Sequence, residues 1–142
     1  MFIYDSIYTI AEKVSKMFLS YLLATERAIQ DAHTNRWSYI NLLDIINIPS
    51  DLDFTIQDIV VAAKVTNIPD GNLKADVEIV SPSNIVIQKV HLEGPLHTGD
   101  ANLTAFFSSL KFSEIGRYTF RITCNGKLFE DSQKYHFQVN KA

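Results

Sequence analysis

The stretch GRYTFRITCNGKLF, residues 116–129, decides the fold. Before the turn, polar and apolar side chains alternate without a break, which is the pattern of a β-strand with one buried face. Asn125-Gly126 then favours a two-residue hairpin, because both central residues of a type I′ turn need positive φ. We predict that Ile122 faces Phe129 across this hairpin and that both side chains lie in the core.

After residue 46, the rest of the chain also has the pattern of short strands separated by turns. Gly, Pro, Asn and Asp cluster at short intervals, where tight reversals need their backbone preferences. Between these turns, runs rich in β-branched and aromatic residues predict further strands, at 59–65, 73–80, 85–92 and 103–112, with the last bent at Ser108-Ser109; a strand over 37–46 precedes them. Regular short strands of this kind are typical of an all-β sandwich or barrel.

The N-terminal segment favours a helix on local grounds. Ile3, Ile7 and Ile10 recur at helical spacing, and Thr9 to Glu12 matches a capping box. The same periodicity continues far enough to allow one helix over residues 9–33, and nothing in it marks an end.

Three stretches resemble a family of short bacterial proteins known only as a domain of unknown function with an Ig- or C2-like β-sandwich. They are FLSYLLATE (18–26), WSYINLLDII (37–46) and FSEIGRYTFRI (112–122). The resemblance implies that residues 18–26 form a strand and that the helix is restricted to about residues 5–16. Gly116-x-Tyr118 also resembles the tyrosine corner of Ig-like sandwiches, in which the Tyr hydroxyl bonds upstream backbone. The family carries no catalytic motif.

We therefore expect an all-β fold with a short α-helix before it. The predicted architecture is an antiparallel Ig/C2-like β-sandwich of seven to eight strands over residues 17–142, preceded by an N-terminal helical segment over residues 1–16.

The composition excludes several classes of partner. The 142 residues carry 13 Lys and Arg against 16 Asp and Glu, a net charge of −3, so there is no basic excess to attract nucleic acid or anionic lipid. We expect neither a nucleic acid nor a membrane as partner. The single cysteine, Cys124, cannot form an internal disulfide or a thiolate zinc site, and it favours a cytoplasmic protein.

No motif of a hydrolase, a nucleotide-binding loop or a zinc enzyme occurs, so we predict no enzyme, no cofactor and no metal. His91 and His97 flank a Gly-Pro turn, but two histidines without a third ligand are weak support for a metal site. Asp51, Asp53 and Asp58 allow two interpretations, a calcium-binding loop or an acidic turn in solvent, and the sequence leaves that choice open.

Two sets of residues are candidates for binding. Trp37, Tyr39 and Asn41 share one face of their predicted strand and combine aromatic rings with an amide, as sugar-binding platforms and protein interfaces do; the alternative is that they are core. The apolar stripe of Ile3, Ile7 and Ile10 could dock on a neighbouring protein or pack on its own sandwich.

These features favour a non-catalytic binding or assembly module. Its partner would be an unidentified protein or a second copy, contacted through strand edges or the N-terminal helix, because open sheet edges invite pairing. The alternative is a small-ligand or carbohydrate binder that uses the Trp37 and Tyr39 face.

Overall fold

The computed structural model describes residues 17–69, 71–96 and 99–142, and over these ranges the chain is a β-sandwich of ten strands. The strands are β1 (Phe18–Gln30), β2 (Trp37–Leu42), β3 (Ile45–Ile48), β4 (Thr55–Thr66), β5 (Gly71–Val80), β6 (Val86–Leu96), β7 (Ala101–Phe112), β8 (Gly116–Cys124), β9 (Lys127–Phe129) and β10 (His136–Lys141). One sheet has the order β2-β1-β4-β7; the other has the order β3-β10-β8-β5-β6, with β9 paired to β8. A short 3₁₀ helix, Glu130–Lys134, joins β9 to β10.

The hairpin that decides the fold forms with the predicted register. Ile122 pairs with Phe129, and both side chains are buried. Asn125 and Gly126 have φ values of +48° and +83°, as the two-residue turn requires. The apolar residues that alternate along β8 are therefore all buried, as predicted: Tyr118, Phe120, Ile122 and Cys124.

The predicted strand 37–46 is in fact two strands in two sheets, which is one reason why the predicted count of seven to eight strands was wrong. The Leu43 N–H still donates to the Ala24 carbonyl in the first sheet, at 2.8 Å. The next residue, Asp44, accepts from the Gln138 N–H in the second sheet, also at 2.8 Å. The chain therefore changes sheets between residues 43 and 44. It enters the second sheet parallel to β10, so the prediction of purely antiparallel pairing was also wrong.

Residues 18–26 form a strand, as the resemblance implied, and not the helix that local periodicity favoured. They are part of β1, which pairs antiparallel with β4. Leu19, Leu22 and Ala24 are buried in the core between the sheets, whereas Phe18 and Ile29, which fitted the helical spacing, are exposed. The predicted helix over residues 5–16, with Ile3, Ile7 and Ile10, lies outside the described residues. Within those residues, no helix is long and apolar enough to cross a membrane.

Four rings between the two sheets form what we call the inner aromatic cluster: Phe112, Tyr118, Phe120 and Phe137. Each is at most 2% exposed. The Phe137 ring lies 5.3 to 5.7 Å, centroid to centroid, from the other three. The Tyr118 hydroxyl donates to the Glu114 carbonyl at 2.7 Å, which confirms the upstream backbone bond expected of a tyrosine corner.

Candidate functional site

The middle of β4 is buried on both of its faces. Successive side chains of a strand point to opposite faces, so a strand with one face in water should alternate between buried and exposed residues. In β4 all five residues from 59 to 63 are buried. Ile59, Val61 and Ala63 belong to the core between the sheets, whereas Val60 and Ala62 do not. Something must therefore cover the outer face of the four-stranded sheet.

The β1–β2 hairpin supplies this cover. Phe106 and Thr104 of β7 are the register partners of Val60 and Ala62, so all four side chains share the outer face. Three strand spacings of ~4.8 Å would place β2 about 14 Å from β7 in a flat sheet. Yet the Trp37 ring centroid on β2 lies 5.9 Å from that of Phe106. We conclude that the hairpin curls over the sheet and lays its aromatic side chains above Val60 and Ala62.

We call Trp37, Tyr39 and Phe106 the outer aromatic platform. The Trp37 and Tyr39 rings are stacked, with centroids 6.4 Å apart and planes 13° from parallel. The Trp37 and Phe106 rings are tilted by 51°. The Tyr39 hydroxyl and the Thr104 hydroxyl are 3.1 Å apart, a hydrogen bond that ties the hairpin to β7. Trp37 and Tyr39 are half-buried, but Phe106 is 51% exposed, so the platform presents apolar surface to solvent.

Polar groups extend from the platform along the same face. The Tyr21 hydroxyl donates to Asn102 Oδ1 at 3.3 Å, and the Lys64 ammonium lies 4.0 Å from the Asp100 carboxylate. Burial, and secondarily the nearby Tyr39 phenol, raise the pKa of the Tyr21 hydroxyl above its usual value. That hydroxyl is therefore a neutral donor under all physiological conditions. The outer face combines rings, hydroxyls and an amide.

Of the three residues predicted to share a face, the structure brings two together. Trp37 and Tyr39 stack, and they lie on the outside of a sheet instead of in the core between the sheets. Asn41 has a different partner, because its Nδ2 donates to the Glu26 carboxylate at 3.1 Å. Its φ of +59° marks a break in the extended geometry of β2.

Phe106, Tyr21 and Thr104 were not among the residues predicted for the site. One signal was available, since Phe106 and Phe107 are adjacent in a strand and must point to opposite faces. Phe107 is buried in the core, which leaves Phe106 on the outside. No local signal links Phe106 to Trp37, because their contact depends on the curl of the hairpin.

The acidic residues considered for calcium are not gathered in the structure. Asp51 and Asp53 are exposed, and the Asp58 carboxylate accepts the Ser109 N–H at 2.7 Å. This bond stabilises a bulge at Ser108-Ser109, where Ser109 has a φ of +54° and the register against β4 shifts. The predicted bend is confirmed at this position. Within residues 17–69, 71–96 and 99–142, no three potential ligands are grouped as a metal site.

His91 lies on β6, in the sheet opposite the platform, between two carboxylates. Its Nδ1 is 2.7 Å from Asp76 Oδ1, and its Nε2 is 3.1 Å from Glu93 Oε2. The hydrogen bond to Asp76, and then that to Glu93, raise the pKa of the imidazole above its usual 6.5. The partner that the sequence suggested, His97, lies outside the described residues.

A cavity of about 440 Å³ opens where the described chain begins. It is lined by Met17, Phe18, Leu19, Lys127, Leu128, Phe129, Glu130 and Asp131. The Lys127 ammonium donates to the Met17 carbonyl at 3.0 Å and lies over the Phe129 ring, 5.6 Å from its centroid. The lining mixes apolar and charged groups, and no side chain there is a buried polar group without a partner.

Comparison with known proteins finds no protein-family model and no curated protein that matches the chain. Among solved structures, this chain is similar to the Pseudomonas fluorescens alkylpurine DNA glycosylase AlkC bound to DNA containing an abasic site analogue. That match has a TM-score of 0.48 and 13% identity, and it covers 87% of this chain but 30% of the glycosylase. It is also similar to the CARDB domain of a Pyrococcus furiosus protein in complex with di-metal ions, with a TM-score of 0.36, 14% identity, and coverage of 88% and 90% of the two chains.

Proposed function

We propose that the chain is a non-catalytic binding or assembly module that contacts a protein partner through the outer aromatic platform. The observation that carries this proposal is Phe106, a large apolar ring that is 51% exposed on the outer face of edge strand β7 and is held beside two stacked rings. Trp and Tyr are enriched among the residues that dominate protein interfaces, because their rings bury large areas against a partner.

The platform is suited to binding because its rings are fixed before a partner arrives. The Tyr39–Thr104 hydrogen bond and the packing of Trp37 on Phe106 restrict the rotamers of the rings. Association normally costs about 0.5–1.5 kcal/mol for each side chain that it immobilises, and this arrangement lowers that cost.

The proposed module is an Ig-like sandwich with a cytoplasmic location. The Tyr118–Glu114 bond supports an Ig-like sandwich of the kind that the family resemblance implies. Cys124 is free and buried, and burial raises the pKa of its thiol, so it is an unreactive core residue. A chain that needs no disulfide is consistent with a cytoplasmic location.

The test replaces one exposed ring on the platform. Phe106→Ser removes the apolar surface, and Ile85→Ser is the matched control, because Ile85 is 61% exposed and precedes β6 of the other sheet. We expect that the wild type and Ile85→Ser retain the same stoichiometric protein from the host, and that Phe106→Ser loses it. Equal retention by all three variants would contradict the proposal.

A carbohydrate or other small polar ligand is the second candidate, and the polar groups beside the rings favour it. The hydroxyl of Tyr21 and the amide of Asn102 lie on the same face as the platform. Sugars stack on aromatic rings while their hydroxyls bond such groups. Saturable binding of one soluble glycan, lost in Trp37→Ala, would support this candidate over a protein partner.

A further inference from the structure

Strand β7 is an edge of the four-stranded sheet that lacks the usual protection. In the described part of the chain it pairs with β4 alone, so every second residue directs its N–H and C=O away from the sheet. Natural edge strands are commonly blocked by charges, Pro or short length. The ten residues from 101 to 110 contain no charged residue and no Pro or Gly.

The other strand edges in the described part of the chain are charged, interrupted by Pro or short. On the opposite sheet, β6 carries Lys89 and Glu93, together with Pro95, which has no N–H to donate. The remaining edges, β2, β3 and β9, are six, four and three residues long. An incoming strand therefore finds its longest uninterrupted edge at β7, before the bulge at Ser108-Ser109.

The β7 edge is complementary to itself. In an antiparallel pair centred on Thr104, the core-facing residues would match a small side chain with a large one at every position, since Ala101 faces Phe107 and Leu103 faces Ala105. On the outer face Thr104 would meet its own copy, a favourable cross-strand pair. The absence of charge removes the like-charge repulsion that a symmetric pair would otherwise bring.

We infer that two copies of the chain pair through β7, antiparallel, with Thr104 on the two-fold axis. The two four-stranded sheets then form one continuous sheet, and both outer aromatic platforms lie on the same face of it. Phe106 of each copy lies opposite Asn102 of the other. This inference rests on the proposed function in one respect: it names a second copy as the assembly partner, and it doubles the surface that the platform offers.

In a two-fold symmetric pair, only the residue on the axis contacts the same residue of the other copy. The test uses this property of Thr104. Thr104→Lys and Thr104→Glu each place two like charges face to face, and we expect each variant alone to be monomeric. Mixed in equal amounts, the two variants should form a heterodimer, because Lys then faces Glu. Thr104→Val is the control: it keeps a β-branched side chain and should remain dimeric. Molecular mass by sedimentation or light scattering separates one chain of 16.1 kDa from two.

Three outcomes would overturn the inference. They are a wild type that is monomeric from micromolar to millimolar concentration, charged variants that remain dimeric, and a mixture of the charged variants that stays monomeric. Circular dichroism of each variant establishes that it is folded before its mass is interpreted. Failure of the proposed function has a separate readout, because a monomeric wild type could still lose its partner on Phe106→Ser.

Discussion

The described part of the chain contains two aromatic clusters, and they use similar residues in different ways. The inner aromatic cluster lies between the sheets, with its rings 5.2 to 5.7 Å apart and almost no exposed surface. The outer aromatic platform lies on the outside of one sheet, with centroids 5.9 and 6.4 Å apart and Phe106 half in solvent. The rings of the inner aromatic cluster are buried and belong to the core. Core packing does not explain Phe106, because half of its surface is exposed. The inner rings therefore stabilise the fold, whereas the outer rings leave apolar surface in solvent, which is the surface that the proposed function uses.

The largest difference between the clusters is expected in the free energy of unfolding when one ring is removed from each. Phe137→Ala should lower the free energy of unfolding by about 3–5 kcal/mol, because the ring is fully buried and contacts three others. Phe106→Ala should cost at most about 1 kcal/mol, since half of the ring is already in water. Urea denaturation measures both changes, and equal losses would contradict the division of roles.

A smaller loss of stability is expected when one tyrosine hydroxyl is removed from each cluster. Tyr118→Phe removes a hydrogen bond to the Glu114 carbonyl at a residue that is 2% exposed, and it should cost about 1 kcal/mol. Tyr39→Phe removes the bond to Thr104 at the edge of the platform, where water replaces the lost partner, and it should cost less than about 0.5 kcal/mol. Thermal denaturation of the pair checks this order, and a reversed order would mean that the hairpin, not the corner, stabilises the sandwich.

The outer face of the second sheet differs from the outer aromatic platform, because around His91 it carries charged groups instead of aromatic rings. The pKa of His91 is raised in the folded chain, so its stabilising contribution is complete below the ordinary value of 6.5 and is lost as pH rises through the folded pKa. The melting temperature should therefore fall slightly across that interval, and His91→Gln should remove this part of the pH dependence. The effect is small, since the pair lies in solvent and is screened.

The partner that matters most to His91 can be identified by NMR titration of the imidazole. Asp76→Asn should lower the pKa of His91 more than Glu93→Gln does, because the Asp76 hydrogen bond is the larger cause of the shift. An unchanged pKa in Asp76→Asn would show that the 2.7 Å contact does not persist in solution.

The smallest perturbation uses Trp37, the one tryptophan of the chain, as a reporter of the platform. Its emission should lie between those of a buried and an exposed indole, and acrylamide should quench it in part. Phe106→Ser should shift the emission to longer wavelength with little change in melting temperature. A strongly blue-shifted emission that acrylamide does not quench would place Trp37 in the interior and remove the distinction between the clusters.

The parts of the fold that depend on short-range chemistry could be predicted from the sequence. The Asn125-Gly126 turn fixes the register of its hairpin, and the small polar pair Ser108-Ser109 marks the bulge in β7. The strand nature of residues 18–26 could not be derived in this way, because their apolar spacing fits a helix as well. The pairing with β4 decides the matter, and periodicity does not report a partner about forty residues away.

The candidate site was predictable only in part for the same reason. Trp37 and Tyr39 could be selected by residue type and spacing, but Phe106 joins them through the curl of a hairpin over three strands. The division of residues 37–46 between two sheets was also hidden. No Gly or Pro marks the crossing, and its cause is a pair of backbone bonds to Ala24 and Gln138 that are distant in sequence.

The parallel pairing of β3 with β10 has a consequence for the order in which the molecule assembles. Ile46 aligns with Val139, so this contact closes a loop that spans most of the chain, and its entropic cost delays it relative to the local hairpins. A chain emerging from the ribosome cannot close this side of the sandwich until β10 has left the exit tunnel. A deletion of β10 would leave β8 and β3 with unpaired edges, so we expect cellular quality control to act on such a variant.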